Sequence, residues 1–202
     1  IWAQPISTPI PKVGGALGEI RPIALFDTPF KLATGTTNDS LCGDIITACG
    51  GYQYGAGKTS GAQQLISDAT GLSIALPNLV FINLDATNAY GNMSRPFTLQ
   101  AILTKAPRLA PIVALQWSIG PTTCWVETAP GRWEQHLIHD GLFQGECLAG
   151  AEYCIGAAQA IDNFHSAAKE QTPELYDITA PTPYAILLYV DDILMCVPTH
   201  LA

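Results

Sequence analysis

Positive charge is scarce in this chain. Only 9 of its 202 residues are Lys or Arg, against 17 Asp and Glu, for a net charge of −8. That balance is the opposite of the basic surface expected of a chain that grips nucleic acid unaided. The shortage is uneven: residues 1–60 carry four basic and four acidic side chains, residues 61–202 five and thirteen. Any phosphate-gripping surface is therefore expected in the N-terminal third. Long apolar runs are missing too. Leu79 to Leu84 and Ala185 to Val190 stop at aspartate, far short of the roughly 18 residues a membrane helix needs, so no membrane span is expected. The six cysteines form no C-x-x-C pair and no regular spacing, which argues against a zinc site or a disulfide framework and favours a reducing intracellular setting, nucleus or cytoplasm. His136, His139, His165 and His200 show no metal-site spacing, and no G-x-S-x-G marks a hydrolase nucleophile. The chain opens on Ile1-Trp-Ala-Gln-Pro5 with no initiator methionine, basic patch or cleavage signal, so we expect no signal peptide and a start inside a longer protein. Internal repeats and low-complexity tracts are absent.

What is present is enough apolar residue, 48%, to bury a core of one globular unit with room for two subdomains. Ile6 to Ile10 and Ile20 to Leu25 read as strands joined by a glycine-rich stretch with a basic start at Lys12. Residues 34–60, rich in Gly, Thr and Asn, give only a mixture of helix and loop. A helix is expected from Gly61 to about Ile74, capped by Ser60, with Leu65, Ile66, Ala69 and Leu72 on one face. Leu79 to Leu84 has the length and residue types of a mostly buried strand that delivers Asp85 at its end. Ser94 and Pro96 mark the start of a helix carrying Leu99, Ile102 and Leu103, and a second helical piece follows over 108–117. Ala129-Pro130-Gly131 separates two strands of a hairpin. A long helix with Leu148, Ile155, Ala158 and Ile161 on one stripe runs to about Ala168, and 173–183 is a loop. The chain closes on two apolar strands, Tyr184 to Val190 and Ile193 to Val197, separated by Asp191-Asp192.

Two adjacent aspartates at the tip of an apolar hairpin repel one another and are costly near a core unless cations pair with them. Asp85, at the end of another strand, would complete a patch of three carboxylates suited to Mg²⁺, a cation that takes oxygen ligands. Asp191-Asp192 alone reads equally well as a solvated turn. The surrounding residues separate the two readings.

Tyr189-Val190-Asp191-Asp192 within YAILLYVDDILM resembles the Y-x-D-D motif of reverse transcriptases. Gly141-Leu-Phe-Gln144-Gly145-Glu-Cys-Leu148 resembles their G-x-x-Q-G-x-P-L segment, and Asp85-Ala-Thr-Asn88-Ala89-Tyr90 their D-x-x-N-A-F/Y segment. Pro9-Ile-Pro11-Lys12 with the glycines after it, then Arg21-Pro22-Ile23 and Lys31-Leu32, is similar to the fingers of non-LTR retrotransposon enzymes. Gln53-Tyr-Gly55-Ala-Gly57 followed by Gly61-Ala62 resembles a stretch common in one group of them. The motifs keep the family's order and cover nearly the whole chain.

The resemblance implies an α+β polymerase fold: partial fingers over 1–76 and a palm over 77–202, an antiparallel sheet backed by helices, with the thumb expected to be absent. It implies RNA-directed DNA polymerase activity, adding deoxynucleotides (dNTPs) to a primer 3′-hydroxyl on an RNA or DNA template with two Mg²⁺ ions, Mn²⁺ being an alternative. Asp85 and Asp191 would ligate the ions with the backbone carbonyl of Ala86, and Asp192 would support the site. Tyr90 would pack against the sugar of the incoming nucleotide and leave no room for a 2′-hydroxyl; its bland reading is a core aromatic. Gln144 and Gly145 would lie against the templating base pair. Lys12 and Arg21 would grip the triphosphate, where otherwise they read as solvated surface charges.

Glu146-Cys147 departs from the family, which has a small or acidic residue and then proline after Q-G, and the missing proline is expected to loosen the turn into the following helix. The alternatives are a catalytically degenerate nucleic-acid-binding remnant of the same fold and, from Gly55-Ala-Gly57-Lys58-Thr59, a P-loop NTPase. The P-loop spacing fails because Tyr52 stands where its first glycine belongs.

Overall fold

The computed structural model describes residues 4–12, 20–118, 121–171 and 185–199. The glycine-rich stretch after Lys12, the 173–183 loop, Tyr184 and His200 lie outside them. Strands β1 (Ile6–Pro11) and β2 (Ile20–Leu25) pair antiparallel, Ile6 with Leu25 through Pro11 with Ile20. The hairpin of β4 (Thr122–Ala129) and β5 (Arg132–Ile138) turns at Pro130-Gly131, where Gly131 takes a φ of +76°. The hairpins join through a short parallel pairing of Ile6 with Trp125 and Ser7 with Val126, which periodicity did not foretell, giving the order β2-β1-β4-β5.

The second sheet positions the aspartates. Strands β3 (Leu79–Asp85), β6 (Ala185–Tyr189) and β7 (Asp192–Pro198) are ordered β3-β7-β6, all antiparallel. The expectation of a mostly buried β3 is corrected: Phe81 and Leu84 stay 38% and 43% exposed. The cause is its place at the sheet edge, with a strand on one side only. The closing turn is Val190–Asp191, and Asp192 already belongs to β7.

Helices supply the core. Asp27 caps α1 (Thr28–Ser40), its Oδ1 accepting from the Phe30 N–H at 2.9 Å, with Pro29 in the first turn where its missing donor costs nothing. This helix starts well before the 34–60 stretch where sequence patterning gave only mixed signals. Its Gly and Thr content gives weak propensity, and burial of Phe30 and Thr34 compensates. α2 (Cys42–Cys49) packs Ile45, Ala48 and Cys49 inward. α3 (Gly61–Ala75) is where expected, but Ser60 does not cap it: its φ is +57° and its side chain bonds no helix N–H. Ile66, placed on the inner face by pattern, is exposed.

Ser94 does cap α4 (Arg95–Lys105). That helix buries Arg95, Thr98, Ala101 and Ile102 and leaves Leu103 exposed, because the polar pair Arg95 and Thr98 occupies the inner stripe. α5 (Ala110–Trp117) and α6 (Ala149–Gln171) complete the cluster, with Ile102, Leu109, Val113, Leu148 and Ile155 fully buried. Each such side chain contributes about 1.5–3 kcal/mol on burial. The architecture is α+β, two sheets backed by helices, as expected. All six cysteines are unpaired thiols. Among the described residues no helix is long and apolar enough to cross a membrane.

Candidate active site

Antiparallel register places Asp85 directly opposite Asp192, which in turn faces Tyr189. Residues so paired share one sheet face with Cα atoms about 4.5–5.5 Å apart. Like charges set opposite one another destabilise a sheet. Asp191 precedes Asp192 in the turn, after Val190, whose φ is +57°. The three aspartates line one cavity of about 940 Å³. Among the described residues no group of three His, Cys, Asp or Glu side chains is arranged to hold a metal ion. The donors facing the cavity are carboxylates, with Ala86 beside them, and such hard oxygen donors fit Mg²⁺.

The same cavity is lined by Lys12 and Arg21 from the β1–β2 hairpin, by Ala86 and Tyr90 from the segment after β3, and by Gln144 from the segment before α6. Eight of the nine residues singled out from sequence thus share one space. Gly145 does not line it. Its φ is +101°, and a Cβ there would stand 2.6 Å from the Ala24 carbonyl oxygen, so the close approach this glycine permits is to β2. The Gln144 carbonyl accepts from the Ala24 N–H at 2.7 Å, fastening the segment to the same strand.

Tyr90 is core residue and cavity wall at once. Its ring stacks on Tyr153 of α6, centroids 5.1 Å apart and planes tilted 23°, and it packs against the main cluster. Burial, with the Cys154 thiol and the Asp191 carboxylate adding to it, pushes the Tyr90 phenol above its ordinary range. Burial, then Asp191, pushes Tyr153 up to about 12. Both rings therefore stay neutral beside the carboxylates.

Glu146 holds the turn in which Cys147 stands at the family's proline position. Its carboxylate accepts from the Leu148 N–H at 2.8 Å and its backbone carbonyl from the Ala149 N–H at 3.3 Å, so the start of α6 is held where the missing proline was expected to loosen it. Sequence reasoning assigned no role to Gln53, although it stands in one of the quoted motifs. Its buried carboxamide accepts from the Val190 N–H at 2.9 Å and donates to the Val190 carbonyl at 3.3 Å. The available signal was the neighbouring Gly55: glycine at that spacing marks a close backbone approach. Lys58, the centre of the P-loop motif, donates to the Gly51 carbonyl at 3.0 Å and lies 4.3 Å from the Tyr54 ring centroid.

No family model matches the chain, and no curated relative matches it. Solved structures do. Apo telomerase from Candida tropicalis truncated from its C-terminal domain matches at 14% identity and a TM-score of 0.62, covering 96% of this chain and 43% of that one. Telomerase from Candida albicans in complex with a fragment of telomeric RNA matches at 14% identity and a TM-score of 0.59, covering 97% and 38%. The chain thus spans about two fifths of the length of these enzymes. At this identity the likeness shows the fold alone, that of the matched part of these telomerases.

Proposed function

We propose that this chain is the fingers (1–76) and palm (77–202) of an RNA-directed DNA polymerase of the non-LTR retrotransposon type, adding deoxynucleotides to a primer 3′-hydroxyl on an RNA or DNA template. The observation that carries this reading is the convergence of Lys12, Arg21, Asp85, Ala86, Tyr90, Gln144, Asp191 and Asp192, from five separate stretches of sequence, on one cavity. A fold similar to part of telomerase over 96% of the chain supports it.

In this reading Asp85, Asp191 and the Ala86 carbonyl hold two Mg²⁺ ions, with Asp192 backing them. When bound, the ions supply charge stabilisation at the attacking and leaving oxygens of a phosphoryl displacement. Lys12 and Arg21, on the hairpin across the cavity, bind the triphosphate as cations. Tyr90, braced from behind by Tyr153, excludes a 2′-hydroxyl, and Gln144 lies against the templating pair, its amide able to donate and accept. The P-loop alternative is disfavoured because the Lys58 ammonium is engaged by the Gly51 carbonyl and the Tyr54 ring.

The test is primer extension with Mg²⁺ on RNA and DNA templates. Deoxynucleotide incorporation is expected, falling by roughly 10²–10³-fold or more in Asp191→Asn, a loss at least as large as that of one electrostatic group in other active sites. Template binding with no incorporation above the Asp191→Asn level would overturn the polymerase reading in favour of a degenerate binding remnant.

A further inference from the structure

The Val190–Asp191 turn is strained where it matters. Val190 has a φ of +57°, a region that a β-branched residue enters only when its surroundings over-determine it. The surroundings here are Gln53. Its side-chain oxygen accepts from the Val190 N–H at 2.9 Å and from the Gly55 N–H at 2.8 Å, and its amide nitrogen donates to the Val190 carbonyl at 3.3 Å. Both backbone polar groups of the strained residue are thus engaged by one carboxamide. That carboxamide is 1% exposed, so water does not substitute for either partner without opening the packing.

Gln53 is itself anchored by the strand it serves. The Leu188 N–H donates to the Tyr52 carbonyl at 2.8 Å, and the Tyr54 N–H donates to the Leu188 carbonyl at 2.7 Å. Residues 52–54 therefore run beside β6 as a short parallel strip, with Gln53 bridged to Leu188. Gly55 lets the strip come this close: a Cβ there would stand 2.5 Å from Val190 Cγ2 and 2.6 Å from the Val190 nitrogen.

We propose that Gln53 is a positioning residue, whose carboxamide, locked to β6, fixes the backbone of Val190 and so where Asp191 is presented to the cavity. It touches no reacting atom and acts through Val190. The proposal rests on the polymerase reading above, and it has a readout that does not depend on catalysis.

The experiment compares the wild type with Gln53→Met, which keeps the side-chain length without polar atoms, and Gln53→Glu, which keeps the acceptor and loses the amide donor. Hydrogen exchange at the Val190 amide is expected to accelerate about tenfold or more in Gln53→Met while the α4 and α6 amides keep their protection. In primer extension kcat is expected to fall roughly 10- to 100-fold in Gln53→Met, with KM for the deoxynucleotide within about threefold, since a misplaced carboxylate costs orientation. Gln53→Glu should keep the Val190 amide protected and show a smaller loss of kcat. Wild-type exchange at Val190 together with wild-type kcat in Gln53→Met would overturn the proposal. If Gln53→Met loses protection throughout, Gln53→Glu decides: local protection with lowered kcat supports the proposal and unchanged kcat overturns it. A wild type that extends no primer sinks the polymerase reading instead, and the exchange at Val190 still decides whether Gln53 holds the turn.

Discussion

The stack of Tyr90 on Tyr153 gives one side chain two constraints. The ring is fixed from behind by α6 and faces the cavity in front, so its outline does not yield to a larger ligand. If the polymerase reading holds, Tyr90→Val opens that outline and lowers the preference for deoxynucleotides over ribonucleotides by roughly 10- to 100-fold, the scale of a single steric contact. Single-nucleotide incorporation with each substrate measures it, and an unchanged ratio removes Tyr90 from the selectivity argument. Tyr153→Leu, which leaves Tyr90 unbraced, should shift the ratio in the same direction by less. Tyr90 was legible in sequence because it stands five residues after Asp85. Tyr153 was not, since nothing in an alanine-rich helix marks which of its residues will meet a ring 63 positions away.

Between α4 and α6 the molecule buries charge. Glu152 of α6 is 1% exposed and Arg95 of α4 is 6% exposed, with Glu146 close by. Burial, with the Glu146 carboxylate adding to it and Arg95 opposing, holds the Glu152 carboxyl well above the usual range; burial also raises Glu146. Folded Glu152 therefore keeps a proton that the unfolded chain releases near pH 4 to 5. Stability from this group is fully present below that range and falls as pH rises toward the folded value. Glu152→Gln cannot release the proton, so its melting temperature should fall less than the wild type's between pH 4.5 and 8. Parallel melting curves across that range would disprove the assignment.

Elements differed in how far they could be read ahead. Ser94 and Pro96 announced α4 because capping is local chemistry. The inner face of α4 was misjudged because hydrophobicity favoured Leu103, whereas Arg95 is held inside by the Gly141 carbonyl at 2.8 Å and its charged neighbours. β3 was misjudged for a related reason: its composition says strand, but whether a strand is central or at an edge depends on partners far away in sequence.

At the scale of the whole molecule the acidic balance limits how the chain can hold nucleic acid. Of its nine cations Arg95 is buried, and Lys105, Arg108 and Arg132 are paired with Asp162, Asp44 and Glu134. At most five others can meet phosphate, Lys58 only by leaving the Gly51 carbonyl and the Tyr54 ring, so the slope of log affinity against log salt for template-primer should be no steeper than about −4.5. Fluorescence anisotropy across a salt series measures it, and a markedly steeper slope would show that the exposed ion pairs open to phosphate.

By itself the sequence determined the local and the short-range. The apolar hairpin around Asp191 and Asp192, the strand delivering Asp85, the capped start of α4 and the motif spacings all follow from propensity, periodicity and turn chemistry, which act between near neighbours. Only the tertiary structure decided that Lys12, Arg21 and Gln144 meet those aspartates in one cavity, that Gly145 closes on β2, and that Gln53 holds the backbone of a residue 137 positions away. Those outcomes depend on strand order, register and burial, which arise when distant segments compete for the same partners, and no window along the chain contains that competition.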